Sequence, residues 1–241
     1  MNTHAFTFQC VTLQAMSSGV LWWPKAGLLC VSDLHLGKSE RIARRNGTMV
    51  PPYETQDTLA RLHQDIEASK PRKPRIVLCL GDSFDDLGPA VALPKTEKTH
   101  LAGLQAGRRW IWIEGNHDPG PVALGGTHLA QHSEPPLTFR HIVSMDPHGE
   151  ISGHYHPKVE LPTRGRLISR RDFLVDRRRI ILPAYGTYTG RLRSHDPALD
   201  DIMECDAMAI LTGPVLHQVP MPRSALVDQA GLFQAVPVGA D

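Results

Sequence analysis

Leu28-Leu29-Cys30-Val31-Ser32-Asp33-Leu34-His35 is an apolar run of strand type that ends in a carboxylate and an imidazole two residues apart. The chain repeats this construction. Ile76-Val77-Leu78-Cys79-Leu80 leads into Gly81-Asp82, and Trp110-Ile111-Trp112-Ile113 leads into Gly115-Asn116-His117-Asp118. The shorter Glu150-Ile151-Ser152 leads into Gly153-His154-Tyr155-His156. Short apolar runs bounded by turn residues mark buried strands, so these polar residues stand where strands leave the core.

The residue types point to metal chemistry. On an extended segment, residues two apart leave the same face, so Asp33 and His35 are placed to hold one ion together, and His154 and His156 repeat the device. Gly81, Gly115 and Gly153 each precede a candidate ligand, where a missing Cβ lets the backbone turn sharply and pass close to a metal. Asp82 is the natural bridge, because a carboxylate has two oxygens and can hold two cations roughly 3.5–4 Å apart. Asn116 adds a neutral oxygen. Several imidazoles among the donors favour manganese, iron, zinc or nickel over calcium or magnesium. No cysteine falls within the motifs, so a structural zinc site of the thiolate kind is not indicated. Two divalent cations, the Asp33 and Asp82 carboxylates and a bridging hydroxide would leave the centre positive, ready for phosphoryl oxygens.

Taken in order, D-x-H, G-D, G-N-H-D, a lone histidine and G-H-x-H resemble the motif series of the calcineurin-like metallophosphoesterases. Longer phrases are more particular. Ser32-Asp33-Leu34-His35-Leu36-Gly37-Lys38-Ser39-Glu40, Pro51-Pro52-Tyr53-Glu54-Thr55 and Gly81-Asp82-Ser83-Phe84-Asp85-Asp86 are three of them. Leu137-Thr138-Phe139-Arg140-His141, Gly153-His154-Tyr155-His156-Pro157-Lys158 and Leu182-Pro183-Ala184-Tyr185-Gly186-Thr187-Tyr188-Thr189-Gly190 are the others. Together they resemble the bacterial ligase-associated DNA-damage-response endonuclease branch, from about Phe6 to about Leu211.

The resemblance implies an α/β fold, a four-layer sandwich of two mixed β-sheets flanked by helices, with a binuclear metal centre on loops at strand ends. It assigns Asp33, His35, Asp82 and His156 to one metal, and Asp82, Asn116, His141 and His154 to the other. The cofactors would be two divalent ions, manganese first, with iron, zinc or nickel as alternatives. His117 would stay outside the metal shell, contacting the phosphate and protonating the leaving oxygen. The lone histidine is His141, ending a strand-like segment; the alternative, His148, follows Asp146-Pro147 and reads as a loop histidine. The implied function is a binuclear-metal-dependent phosphodiesterase, a DNA endonuclease acting in repair by hydroxide attack on a phosphodiester. Functional association with a DNA ligase and a helicase goes with that branch. The alternative is a small-molecule phosphoesterase, of the cyclic nucleotide phosphodiesterase or nucleotide-lipid pyrophosphatase type. A scaffold that has lost its chemistry fits poorly with intact ligands and an intact His117.

Composition agrees with a globular enzyme. A chain of 241 residues with 41% hydrophobic content can build one large α/β domain over 1–241, its tail from about 222 a short packed or frayed end. No long apolar segment suggests a membrane span, and the first eight residues lack a basic head followed by an apolar core, so a cytoplasmic protein is expected. Cys10, Cys30, Cys79 and Cys205 read as reduced core thiols. The net charge of +1 says little about nucleic acid, but residues 157–193 hold ten basic and only three acidic side chains. Those arginines, with Arg41, Arg44 and Arg45, are read with equal weight as a phosphate-guiding field or as a solvated face.

Hydrophobic periodicity places strands near 5–13 and 20–23, then helices near 38–45, 54–68 and 96–106, the second with Leu59, Leu62 and Ile66 on one face. Later strands are expected near 137–141, 173–176, 179–182, 208–212 and 215–219. Trp22, Trp23, Trp110 and Trp112 read as core aromatics. Asp85, Asp86 and Asp118 read either as groups that orient ligands or as turn carboxylates. Tyr185 and Tyr188 are expected near the cleft, without a catalytic role.

Overall fold

A computed structural model describes residues 2–39, 42, 53–84, 93–120, 123–163, 166–187, 189–190 and 192–224. Arg41, Arg44, Arg45, Asp85, Asp86, Arg164, Tyr188, Arg191, the Arg166 side chain, most of the expected helix at 38–45 and most of the tail lie outside the described residues.

The chain opens with β1 (Thr3–Phe8), β2 (Val11–Met16), β3 (Leu21–Trp23) and β4 (Leu28–Val31), an antiparallel meander. Helix α1 (Glu54–Ala68) then crosses to β5 (Ile76–Leu80), and α2 (Lys95–Gln105) stands between β5 and β6 (Arg109–Ile113). Strands β4, β5, β6 and β7 (Thr127–Leu129) pair in parallel, completing a seven-stranded sheet in sequence order.

The second sheet takes β8 (Gln131–Glu134), β9 (Leu137–Arg140), β10 (Glu150–Ser152), β11 (Pro157–Thr163), β12 (Arg166–Val175), β13 (Arg179–Ile181) and β14 (Leu192–Arg193). Their spatial order is β14-β11-β12-β13-β10-β9-β8. After the single turn α3 (Pro197–Asp200), β15 (Met208–Leu211) joins the second half of β12, and β16 (His217–Pro220) pairs with β15. Parallel β9–β10 and β10–β13 pairs beside antiparallel ones make this sheet mixed as well.

Alternation along the strands builds the layers, because successive side chains leave opposite faces. Leu28, Cys30, Leu78, Leu80, Ile111 and Ile113 point across to Phe139, Ile151, Phe173 and Ile180, forming the core between the sheets. The intervening Leu29, Val31, Val77, Cys79, Trp110 and Trp112 turn the other way, onto Leu59, Leu62 and Ile66 of α1 and Leu101 and Leu104 of α2. On the far side, Val159, Leu174, Ile181 and Leu211 are covered by Leu199, Met203 and Met221. The architecture is the expected α/β sandwich of two mixed sheets, but its outer layer is thin. Among the described residues it consists of α3 and adjoining loop, with Asp196 capping the turn by accepting the Ala198 N–H at 3.0 Å.

Three local expectations change. The strand expected at 5–13 is a hairpin, turning at Gln9 (φ +46°) and Cys10 (φ +62°). Both turn residues take left-handed backbone angles without glycine or asparagine, so the usual sequence signal of a tight hairpin is missing. Strand β12 begins well before 173 and forms a long hairpin with β11; its arginines interrupt the apolar pattern by which a strand is read. Of the cysteines, Cys30 and Cys79 are buried while Cys10 and Cys205 are exposed, and all four are free. No helix among the described residues is long and apolar enough to cross a membrane. The four tryptophans are buried, as core aromatics should be.

Candidate metal centre

The strand ends of both sheets meet at one point. The seven-stranded sheet contributes Asp33 and His35 after β4, Asp82 after β5, and Asn116 and His117 after β6; the second sheet contributes His141 after β9, and His154 and His156 after β10. The loops keep pairing beyond the strands. The N–H groups of Asp33, His35 and Leu36 donate to the carbonyls of Gly81, Asp82 and Ser83 at 3.3, 2.9 and 2.9 Å, and the Gly153 N–H donates to His141 O at 3.0 Å.

Asp33 and His35 converge, but not as neighbours on an extended face. Asp33, His35, Asp82, His154 and His156 have φ of +53°, +46°, +45°, +72° and +49°. Non-glycine residues rarely occupy this left-handed region, and a cluster of them persists only where the surrounding structure over-determines it. Two glycines leave the needed room. A Cβ on Gly81, itself at φ +71°, would lie 2.4 Å from His141 Nδ1, and one on Gly153 would lie 1.8 Å from Ser32 Oγ.

Two groups result. Asp33, His35 and His156 bring one donor atom each to within 4.8 Å of one another, and so do Asp82, His141 and His154. Asn116 Oδ1 stands 3.0 Å from His141 Nε2 and thus joins the second group. His148 is exposed and belongs to neither.

Hydrogen bonds fix which ring nitrogens face inward. His141 Nδ1 donates to Leu80 O at 2.9 Å and His156 Nδ1 to Gly190 O at 2.8 Å, which turns both Nε2 atoms toward the centre. There His141 Nε2 meets Asp82 Oδ2 at 3.4 Å and His154 Nδ1 at 3.2 Å, while His156 Nε2 meets Asp33 Oδ1 at 3.1 Å. His156 Nε2 and Asp33 Oδ1 are both buried, and at 3.1 Å from each other neither makes a well-aligned hydrogen bond. Two lone pairs aimed at one point suit a shared cation, and a donor set of imidazole, carboxylate and amide oxygen fits divalent transition metals.

The electrostatics ask for the same positive charge. Burial would raise the Asp82 carboxyl, but hydrogen bonding to His141 and the charges of His141 and His35 bring it down to about 2. Burial works against the protonated His141 ring, yet the hydrogen bond and charge of Asp82 with the charge of Asp33 push it up to about 9. Asp33 is buried but lies below the usual carboxylate range because of His156 and His141. In the absence of metal, protons on the histidines are what these carboxylates attract.

His117 sits at the rim. Its backbone N–H donates to Asp82 Oδ1 at 2.9 Å, its ring lies edge-on to His35, and its side chain is 35% exposed. Asp118 holds the turn that carries Asp82. Its buried carboxylate accepts the backbone N–H groups of Asp82, Ser83, Phe84 and Gly115 at 3.0, 2.8, 3.2 and 3.0 Å. Burial, reinforced by the charge of Asp82, nevertheless raises it to about 6.

Tyr185 does not approach the cleft. It is fully buried and donates to Asp65 Oδ2 at 2.6 Å, while its N–H and that of Gly186 donate to Ser32 O and Asp33 O at 2.8 and 3.0 Å. The loop after β13 thus braces the Asp33 turn. Arg61 and Arg171 hold this loop from two sides, Arg61 through Tyr185 O and Thr187 Oγ1, Arg171 through the carbonyls of Ala184, Tyr185 and Gly186.

Among the described residues, several side chains of the basic stretch hold groups of the protein itself. Besides Arg171, the buried Arg179 donates to Ser144 O at 3.0 Å. Arg178 pairs with Asp146, Arg177 with Glu204, and Lys158 and Arg193 with Glu160. Charge counting missed most of this because Asp146 and Glu204 lie outside the stretch. The Arg171 contacts, to carbonyls, leave no compositional trace at all.

Residues 27–196 match the family model described as calcineurin-like phosphoesterase. No curated protein matches the chain. Among solved structures, the crystal structure of the Pseudomonas putida nuclease MPE is similar at a TM-score of 0.70 and 23% identity, over 90% of this chain and 100% of that one. The likeness is one of fold.

Proposed function

The chain belongs to the calcineurin-like phosphoesterase family, and from that membership we propose that it is a two-metal phosphodiesterase acting on DNA, an endonuclease of DNA repair. The observation that carries the reading is the convergence of Asp33, His35 and His156 with Asp82, His141 and His154 at the seam of the two sheets. Asp33, His35, Asp82 and His156 hold one cation, and Asp82, Asn116, His141 and His154 hold the other. Manganese is proposed first, as the resemblance implies, and the mixed donor set suits iron, zinc or nickel as well. When bound, two such cations acidify water and neutralise phosphoryl oxygens. His117, outside both groups and half-exposed, donates the proton to the leaving oxygen, with its backbone anchored on Asp82.

The DNA substrate is supported by the motif phrases and by a fold shared with a protein named as a nuclease. A role beside a DNA ligase and a helicase rests on those phrases alone. The test is parallel incubation of manganese-loaded protein with an aryl phosphodiester, a cyclic nucleotide, and single-stranded and duplex DNA. Internal cleavage of DNA supports the reading. Turnover of the cyclic nucleotide with intact DNA would replace it by the small-molecule alternative.

A further inference from the structure

A pocket of about 370 Å³ opens beside Asn116 and His141, and the roles assigned above leave its outer walls unused. Ile142, Pro119 and Ala130 line it with apolar surface, while Glu114, Gln131 and Arg140 bring polar groups to it. Ile142 is 45% exposed and places apolar surface at the edge of a charged centre. Arg140 is fixed in advance, its Nη2 donating to Gln131 Oε1 at 2.6 Å and its Nε lying 3.5 Å from the buried carboxylate of Glu150.

We propose that this pocket receives the nucleoside that stays bonded to the scissile phosphate, with the base against Ile142 and its edge toward Gln131, Arg140 and Glu114. The inference rests on the phosphodiesterase reading of the adjoining centre. A base has apolar faces and an edge carrying both donors and acceptors, which is the mixture these walls offer. A second phosphate would be repelled by Glu114, and an acyl chain would strip water from Glu114 and Arg140 without replacing it. His117, the proton donor in the proposed reaction, is not among the walls. The substituent whose oxygen leaves therefore points elsewhere, and the pocket holds the one that remains.

Two esters with the same leaving group isolate this contact: thymidine 5′-(4-nitrophenyl phosphate) and methyl 4-nitrophenyl phosphate. With manganese-loaded protein, the nucleoside ester is expected to have the higher kcat/KM by at least about tenfold. Ala130→Glu and Ile142→Glu, at exposed positions, each add bulk and a charge beside Glu114 and should bring the ratio close to one. A wild-type ratio near one overturns the proposal, as does a ratio retained in both variants, equal loss on both esters included. If wild-type protein turns over neither ester, the phosphodiesterase reading itself fails, and the pocket assignment with it.

Discussion

The carboxylate of Asp118 holds the backbone N–H of Asp82 at 3.0 Å, so the residue proposed as the bridge is set by a side chain from a neighbouring strand end. The same carboxylate serves Ser83, Phe84 and Gly115, tying the turn after β5 to the turn after β6. Asp118→Ala leaves four buried donors without an acceptor. It is expected to weaken manganese binding by about 10–100-fold, the range typical of groups that orient ligands, and to cost on the order of 3 kcal/mol in stability. Calorimetric metal titration and urea unfolding measure the two effects. Unchanged affinity in a folded variant would show that the Asp82 turn needs no such support.

Asp82 and His117 should separate cleanly. Asp82→Ala removes the carboxylate proposed to serve both metals, so metal content and turnover are expected to fall together. His117→Ala leaves both groups intact, so metal content should persist while turnover drops by about 10²–10⁴-fold. Elemental analysis of the purified variants beside rates on an aryl phosphodiester gives the comparison. Loss of both ions from the His117 variant would move that residue into the metal shell.

Arg171 and Arg177 carry the same charge in the same stretch, yet opposite outcomes are expected. Arg171 holds three carbonyls of the loop that braces Asp33, so Arg171→Gln should lower thermal stability and slow every phosphodiester alike. Arg177 lies on the surface with Glu204 and Asp206, and Arg177→Gln should leave melting temperature and rates within error. A selective loss of DNA cleavage in the Arg177 variant would restore the phosphate-guiding view of this segment.

Asp172 gives a prediction in pH. It is fully buried on β12, where burial pushes its carboxyl up to about 8 despite hydrogen bonds from Ser194 and the Val159 N–H. In the unfolded chain it titrates near 4. Between those values the folded protein keeps a proton that the unfolded chain releases, so the Asp172 contribution destabilises the fold as pH rises, by at most about 1.4 kcal/mol per pH unit. Asp172→Asn keeps the shape without the proton. Urea unfolding from pH 5 to pH 8 should show wild type losing stability relative to the variant; parallel curves would mean the carboxyl is not held neutral.

The sequence made the chemistry legible because each donor sits beside a short apolar run ending in a recognisable turn. Strand β5 and helix α1 fall where periodicity places them, since Leu59, Leu62 and Ile66 have one obvious face to bury. Conformation was harder to read. Asp33, His35 and Asp82 adopt angles that sequence normally reserves for glycine, and only the packing of two sheets against each other imposes them. Tyr185 was misjudged for a related reason: its phrase lies beside the centre, but the side chain turns away to Asp65. Long-range partners such as Arg171 with Ala184 carry no local signature.

Each cluster draws donors from both sheets, Asp33 and His35 facing His156, and Asp82 facing His141 and His154. Neither sheet holds the centre alone, so the interlayer core of Leu80, Ile113, Phe139 and Ile151 sets alignment as well as burial. A substitution there that lets one sheet slide slightly over the other would part the donors while the layers remained covered. Turnover then acts as a vernier on the fold, registering a displacement between its halves well before melting temperature records any loss.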